Sequence, residues 1–200
     1  MTAAPDQPSR RAVTIGLVGA AISSSVGAQS NNDRTWPQLR TPTSQFIELR
    51  PLAEAPALDL RRIDGKTIEL KALRGKVVLL CFWATWCPPC RRELPTLERL
   101  GRLIDPRDLE IVAISIDKGG NDSVAAFSRN IGVLRLLPFL DPDGLIAVRA
   151  GQTSSSPFVL HGMPISYVVD RLGRVAGYIV GEVDWTSGDA LALMRFYIDR

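Results

Sequence analysis

Two of the three cysteines in this 200-residue chain are separated by two prolines, in the segment Cys87-Pro88-Pro89-Cys90. A pair with this spacing can form a structural disulfide, supply half of a zinc site, or cycle between disulfide and dithiol. Zinc would need a second pair of ligands, and the third cysteine, Cys81, stands alone. The pair therefore predicts thiol–disulfide exchange, in which one thiolate attacks a foreign disulfide and the second sulfur resolves the mixed disulfide.

The segments on either side of the pair predict how it is positioned. Val77–Trp83 is continuously apolar, as expected of a strand that is covered on both faces. Downstream, apolar residues recur every three or four positions and predict a helix: Leu94, Leu97, Leu100 and Ile104. Cys87 would then lie at the helix N-terminus, where free N–H groups and the helix dipole lower the pKa of a thiol. Because Pro88-Pro89 supplies no N–H, the Cys90 amide is left as a nearby donor. The resulting incomplete stabilisation of the thiolate favours a reductant over a strong oxidant.

The remaining patterns predict a small α/β domain. The elements are a hairpin at 58–60 and 67–70, a buried strand at 111–116, a helix at 121–131, a second hairpin at 165–169 and 174–180, and a final helix capped by Thr186 or Ser187. The order is ββ, βαβα, ββα, and the central βαβ unit requires a parallel pair of strands. The pattern favours a three-layer α/β sandwich with an N-terminal β-hairpin extension.

Composition narrows the class of function. The chain has 46% hydrophobic residues, 22% charged residues and a net charge of +3, which is typical of an ordinary soluble domain. Its basic residues are scattered, so nothing predicts a nucleic-acid partner. No segment reaches the roughly 20 consecutive apolar residues of a membrane span, so none is expected in the mature protein.

The first residues have the pattern of a bacterial export signal. Ser9-Arg10-Arg11 precedes the mildly apolar run Ala12–Ile22, and Val26-Gly27-Ala28 supplies small residues for cleavage. The adjacent arginines are typical of the twin-arginine route. We therefore predict an export signal at 1–28, a linker at 29–45, a domain at 46–200 and a periplasmic location. A disordered tail and an uncleaved anchor remain alternatives.

The segment Phe82–Pro95, which reads FWATWCPPCRRELP, resembles the TlpA/ResA family of extracytoplasmic thioredoxin-like disulfide reductases. The similarity extends over roughly 56–198 and includes Asp64-Gly65-Lys66 and Gly162-Met163-Pro164. It implies a thioredoxin fold without metal or other cofactor, and a cis peptide bond before Pro164 that packs against the cysteines. The backbone of Met163 would then pair with an extended client segment.

The resemblance also implies roles for residues around the pair. Glu93 would tune the thiol pKa values and relay a proton; alternatively, it is a solvated glutamate favoured by the helix N-terminus. The place of Trp86 directly before Cys87 predicts that it is exposed and contacts partners. Clients would be exported proteins with disulfides, as in cytochrome c maturation, and a membrane thiol donor would recharge the protein. Cys81 stands where thioredoxins hold a buried aspartate; core packing is favoured there over a third redox sulfur.

His161 suggests one rival function. It is the single histidine and lies three residues before Pro164, so two thiolates and an imidazole could hold copper. Copper chaperones of this fold use a longer cysteine spacing, and a peroxidase would need a lone cysteine framed by proline and threonine. A copper-handling chaperone for a respiratory oxidase therefore remains the alternative function.

Overall fold

The apolar runs of the sequence form the middle of a mixed sheet in this computed structural model, which describes residues 1–2, 37–152 and 155–200. Residues 3–28 of the predicted signal and residues 29–36 of the predicted linker lie outside the described residues. The strands are β1 Ile47–Glu54, β2 Asp59–Arg61, β3 Thr67–Glu69, β4 Val77–Trp83, β5 Leu109–Ser115, β6 Phe139–Leu140, β7 Ala147–Arg149, β8 Phe158–Leu160, β9 Ile165–Val169 and β10 Arg174–Val180. The helices are α1 Pro88–Leu103, α2 Asn121–Asn130 and α3 Gly188–Ile198, with a 3-10 helix at Leu70–Leu73.

The main sheet contains six strands in the order β1-β10-β9-β4-β5-β6. β4 and β5 run parallel, as the predicted βαβ unit requires. β9 lies antiparallel to β4, and β10 lies antiparallel to β9, so the second predicted hairpin does extend the sheet. All seven residues of β4 are buried, which explains its unbroken apolar sequence.

Two hydrophobic clusters cover the two faces of the sheet. The side chains of Leu79, Cys81 and Trp83 pack with residues of α1, α2 and α3. Those of Leu80 and Phe82 face the other way, toward the β2–β3 hairpin, the 3-10 helix and the β7–β8 pair. The predicted three-layer sandwich is therefore confirmed, with a third layer built from small strands and a 3-10 turn.

The N-terminal boundary differs from the predicted one. Leu39 belongs to the predicted linker, yet its side chain is 2% exposed and packs in the helix-side cluster. The Leu39 carbonyl also accepts a hydrogen bond from the Phe46 amide at 2.9 Å. The folded domain therefore reaches back at least to Leu39, and β1 follows it along the edge of β10.

Candidate active site

Cys87 lies where β4 gives way to α1. It is the N-cap residue of α1, with an extended backbone (φ −93°, ψ 106°), and Pro88 and Pro89 occupy the first helical positions. The Cys90 amide donates to Cys87 Sγ at 3.4 Å, so the donor expected from the sequence is in place. The strand, loop and helix together fix the first sulfur at a helix N-terminus.

Cys87 and Cys90 form a disulfide, with an S–S distance of 2.08 Å and a Cα–Cα distance of 5.3 Å. Cys87 retains 4% of its surface, whereas Cys90 retains none. Another protein's sulfur can therefore reach Cys87 more readily than Cys90. This difference agrees with the predicted order of attack, in which Cys87 acts first and Cys90 resolves.

A buried carboxylate forms hydrogen bonds that fix the loop before the disulfide. Asp117 follows β5, and its oxygens accept hydrogen bonds from the Thr85 amide at 2.9 Å and the Thr85 hydroxyl at 2.7 Å. The Ser115 hydroxyl donates to the same carboxylate at 2.7 Å. The sequence reasoning missed this contact. The signal was available, because Thr85 and Asp117 both follow buried parallel strands, whose carboxyl ends meet at one edge of a sheet.

The proline loop stands beside this turn because of the sheet register. Phe82 of β4 pairs with Ile165 at the start of β9, which brings the preceding Met163-Pro164 next to the end of β4. The Met163-Pro164 bond is cis, which confirms the expectation drawn from the resemblance. Met163 is half-buried and packs against the cluster that contains both active-site cysteines.

Glu93 is a buried acid. Its side chain accepts hydrogen bonds from Trp185 Nε1 at 2.8 Å and from the Val183 amide at 3.3 Å, and the residue is 2% exposed. Burial, with a smaller contribution from the charge of Glu182, raises the pKa of Glu93 to about 8 against the lowering effect of these two donors. The solvated-glutamate alternative is therefore wrong, and a proton on Glu93 can be lost near neutral pH.

Cys81 lies in the core. It is 1% exposed, and burial, reinforced by the charge of Glu93, raises the pKa of its thiol well above the ordinary value. A protonated and inaccessible thiol is a poor nucleophile. The structure thus agrees with core packing at Cys81.

Trp86 and His161 occupy different surroundings. Trp86 is 56% exposed beside Cys87, as predicted. His161 is exposed and stacks on Tyr178, with ring centroids 5.3 Å apart. Among the residues that the structure describes, no three histidine, cysteine or acidic side chains come together as a metal site. The geometry therefore lends no support to the copper alternative.

Of the helices within the described ranges, none combines the length and hydrophobicity needed to cross a bilayer.

A βαβ core, a disulfide at the start of its helix and an adjacent cis-proline define a thioredoxin-fold thiol–disulfide oxidoreductase. The chain belongs to the AhpC/TSA family, whose model matches residues 51–177.

Similar proteins carry consistent names. The chain is 33% identical over 132 residues to the thiol-disulfide oxidoreductase ResA of Bacillus thuringiensis, covering 64% of this chain and 69% of that protein. It is 39% identical over 139 residues to ResA of Halalkalibacterium halodurans, covering 66% and 72%. Among solved structures, a thiol:disulfide interchange protein of the thioredoxin family from Chlorobium tepidum matches with a TM-score of 0.58 at 26% identity, covering 76% of this chain and 99% of that one.

Proposed function

We propose that this protein reduces disulfides in exported proteins, with Cys87 as the attacking sulfur and Cys90 as the resolving sulfur. The observation that carries the proposal is the unequal exposure of the two sulfurs at the N-terminus of α1. The relatives named ResA support the class of reaction.

The reaction balances as a transfer of two electrons. The Cys87 thiolate attacks one sulfur of the client disulfide, forms a mixed disulfide and releases the other client sulfur as a thiolate. Cys90 then loses its proton and attacks Cys87 Sγ, which closes the Cys87–Cys90 bond and releases the second client thiolate. Protons complete the client thiols, and a dithiol donor returns two electrons to the protein.

Glu93 is suited to handle the Cys90 proton. It lies one helical turn after Cys90 on the same buried side of α1, and its pKa of about 8 allows it to accept and release a proton near neutrality. Pro164, Met163 and Trp86 would bind the client, with the backbone of Met163 pairing with its extended segment.

Trapping tests the assignment of the two sulfurs. Cys90→Ser should accumulate a mixed disulfide between Cys87 and a disulfide-containing peptide, because the resolving step is lost. Cys87→Ser should form none, and Cys81→Ala should behave as wild type. Mass spectrometry of the trapped species identifies the bonded cysteine, and a bond to Cys81 or Cys90 would overturn the assignment.

The redox potential tests whether the protein acts as a reductant or as an oxidant. Equilibration with glutathione should give a potential of about −270 mV or below, as in reductants. A potential of about −120 mV would instead indicate an oxidant.

The proposed location is the periplasm, with a membrane thiol donor and with cytochrome c precursors or similar exported proteins as clients. The support is the twin-arginine pattern at Arg10-Arg11 and the resemblance to an extracytoplasmic family. Residues 1–28 fused to a reporter should direct its export, and replacing both arginines by lysine should block it. Retention of the unchanged fusion in the cytoplasm would contradict the proposed location.

A further inference from the structure

A groove of about 590 Å³ opens beside Trp86, the residue that precedes the attacking cysteine. Its apolar lining includes Ile116, which follows β5, and Leu160 of β8. The groove thus extends from the active site toward the β7–β8 pair. Its lining includes neither the disulfide nor the Met163-Pro164 loop.

The β7–β8 pair forms one wall of the groove. The two short strands run parallel, with Ala147 opposite Phe158 and Arg149 opposite Leu160. Arg149 ends β7 and reaches back over the active-site loop, where its guanidinium carbon lies 5.7 Å from the centre of the Trp86 ring. This contact joins the wall to the rim of the active site.

The exposed charge of the groove is mainly positive. Lys118 and Arg149 are exposed, and neither forms an ion pair with any residue that the structure describes. Asp143 is the exposed acid of the lining. Asp141 is 4% exposed, and both of its oxygens accept backbone hydrogen bonds from the following turn.

A third cation, Arg91, lies in the first turn of α1, four residues after Cys87. Arg91 is exposed, its guanidinium carbon lies 5.4 Å from the centre of the Phe127 ring, and it forms no ion pair within the described residues. Its neighbour Arg92 is engaged by Glu182 through an ion pair. Of the residues that the structure describes, the groove lining and the first turn of α1 therefore present three exposed cations without an ion pair, against one exposed carboxylate in the groove lining.

We propose that this groove binds the client segment next to the attacked cysteine and selects segments that carry a carboxylate there. Lys118 and Arg149 are the specificity-determining residues, while Ile116 and Leu160 accept apolar side chains of the same segment. The inference rests on the proposed disulfide exchange and names the class of client that undergoes it. Because the cations are exposed, they favour encounter and orientation more than tight binding.

Three matched peptides test this selectivity. Each contains one internal disulfide. The three differ only in the two residues beside the first cysteine, which are both glutamate in one peptide, both glutamine in the second and both lysine in the third. The protein is reduced with dithiothreitol, freed of the reagent and mixed with each peptide, so the second-order rate constant needs no natural electron donor.

At low ionic strength we expect the glutamate peptide to react about fivefold faster than the glutamine peptide and the lysine peptide to react slowest. The preference should shrink to less than about twofold in 0.5 M salt, because screening weakens exposed charge pairs. In the double variant Lys118→Gln/Arg149→Gln the rate for the glutamate peptide should fall about fivefold and the ranking should flatten.

A matched control removes the same charge elsewhere. Arg135, which precedes β6, and Arg195, in the last turn of α3, are exposed residues outside the groove lining. Arg135→Gln/Arg195→Gln should keep the full preference for the glutamate peptide. Equal rates for the three peptides, or equal losses in both double variants, would overturn the groove assignment while leaving disulfide exchange intact. Failure to reduce any of the peptides would overturn the proposed function and the inference with it.

Discussion

Glu93 places a titratable proton inside the protein, next to the redox centre. The ordinary pKa of a glutamate is 4.5, and the folded value is about 8. Between these two pH values the folded state keeps a proton that the unfolded state has released. The contribution of Glu93 to the free energy of unfolding therefore falls as pH rises from about 4.5 to 8, by at most about 1.4 kcal/mol per pH unit.

Glu93→Gln should remove this dependence. The amide oxygen can still accept from Trp185 and Val183, so the two proteins should unfold with similar free energies at pH 5. At pH 8 the variant should be more stable by about 2–4 kcal/mol, because its side chain carries no buried charge. Urea titrations of the oxidised protein measure the difference, since the Cys87–Cys90 disulfide keeps those two thiols from titrating. Glu182 and Cys81, the titratable neighbours of Glu93, are unchanged in both proteins.

An exposed glutamate provides the control for that experiment. Glu69 pairs with Lys71 at the surface, and its side chain is 52% exposed. Glu69→Gln should retain the wild-type slope of stability against pH. Parallel curves for wild type and Glu93→Gln would show that the carboxyl group of Glu93 does not carry the shifted proton.

Trp185 should determine how far the Glu93 pKa rises. Its indole N–H donates to the carboxyl group and favours the ionised form, so Trp185→Phe should raise the Glu93 pKa further. Trp83→Phe is the matched control, because Trp83 is equally buried and its indole nitrogen has no hydrogen-bond partner among the described residues. Carbon-13 NMR of the glutamate carboxyls gives both values, and identical shifts in the two variants would contradict a specific role for the Trp185 donor.

At the level of single residues, the helical spacing in the sequence already indicated that Glu93 is buried. Glu93 stands four positions before Leu97 and seven before Leu100, in register with the apolar stripe of α1, so its burial was predictable. Its partner Trp185 lies 92 residues away, and nothing local links the two. Interactions of that separation depend on the sheet order, which becomes known only with the fold.

Among the elements, the sequence predicted the buried strands of the main sheet and also the largely exposed β2–β3 hairpin, which its Asp64-Gly65 turn signal marks. β4, β9 and β10 begin and end where their apolar runs do. β1 lies at the sheet edge and is largely exposed, so it lacks the alternation that would reveal a strand. β6 has two residues, and β7 and β8 have three each and run parallel, so neither periodicity nor a hairpin turn signal marks them. The groove wall that β7 and β8 form beside Trp86 could therefore not be predicted from the sequence.

The turn into β7 depends on a single carboxylate. Asp141 accepts hydrogen bonds from the amides of Leu145 at 2.7 Å, Ile146 at 3.1 Å and Ala147 at 2.9 Å. Asp141→Ala would leave these amides without their acceptor and should lower the free energy of unfolding by about 2–4 kcal/mol. Urea denaturation measures the loss, and hydrogen exchange should accelerate at the same three amides.

The neighbouring acid separates this effect from a simple change of charge. Asp143 is exposed in the same turn, and Asp143→Ala should change stability by less than about 0.5 kcal/mol. Unchanged exchange at Leu145–Ala147 in Asp141→Ala would mean that the carboxylate does not organise the groove wall.

Across the whole molecule, the edge strand β1 is joined to the sheet through a glycine of β10. A Cβ atom added at Gly177 would lie 2.4 Å from the Ile47 carbonyl oxygen and 2.4 Å from Cζ of Phe46. The Phe46 ring packs in the helix-side cluster near Tyr197, with ring centroids 6.2 Å apart. The chain after β10 reaches Val183 and Trp185, which donate hydrogen bonds to Glu93. The position of β10 therefore affects the surroundings of Glu93.

Gly177→Ala should therefore displace β1 and Phe46 and lower the free energy of unfolding by about 1–3 kcal/mol, since the backbone oxygen has no room to yield. Gly188→Ala adds the same methyl group at the start of α3, where nothing but its chain neighbours and the backbone of the helix itself can lie within 4 Å, and should cause no loss. Urea denaturation compares the two, and amide exchange should show lost protection in β1 while β4 and β5 remain protected. If the two variants are equally stable, β1 does not approach Gly177 as closely as the fold requires.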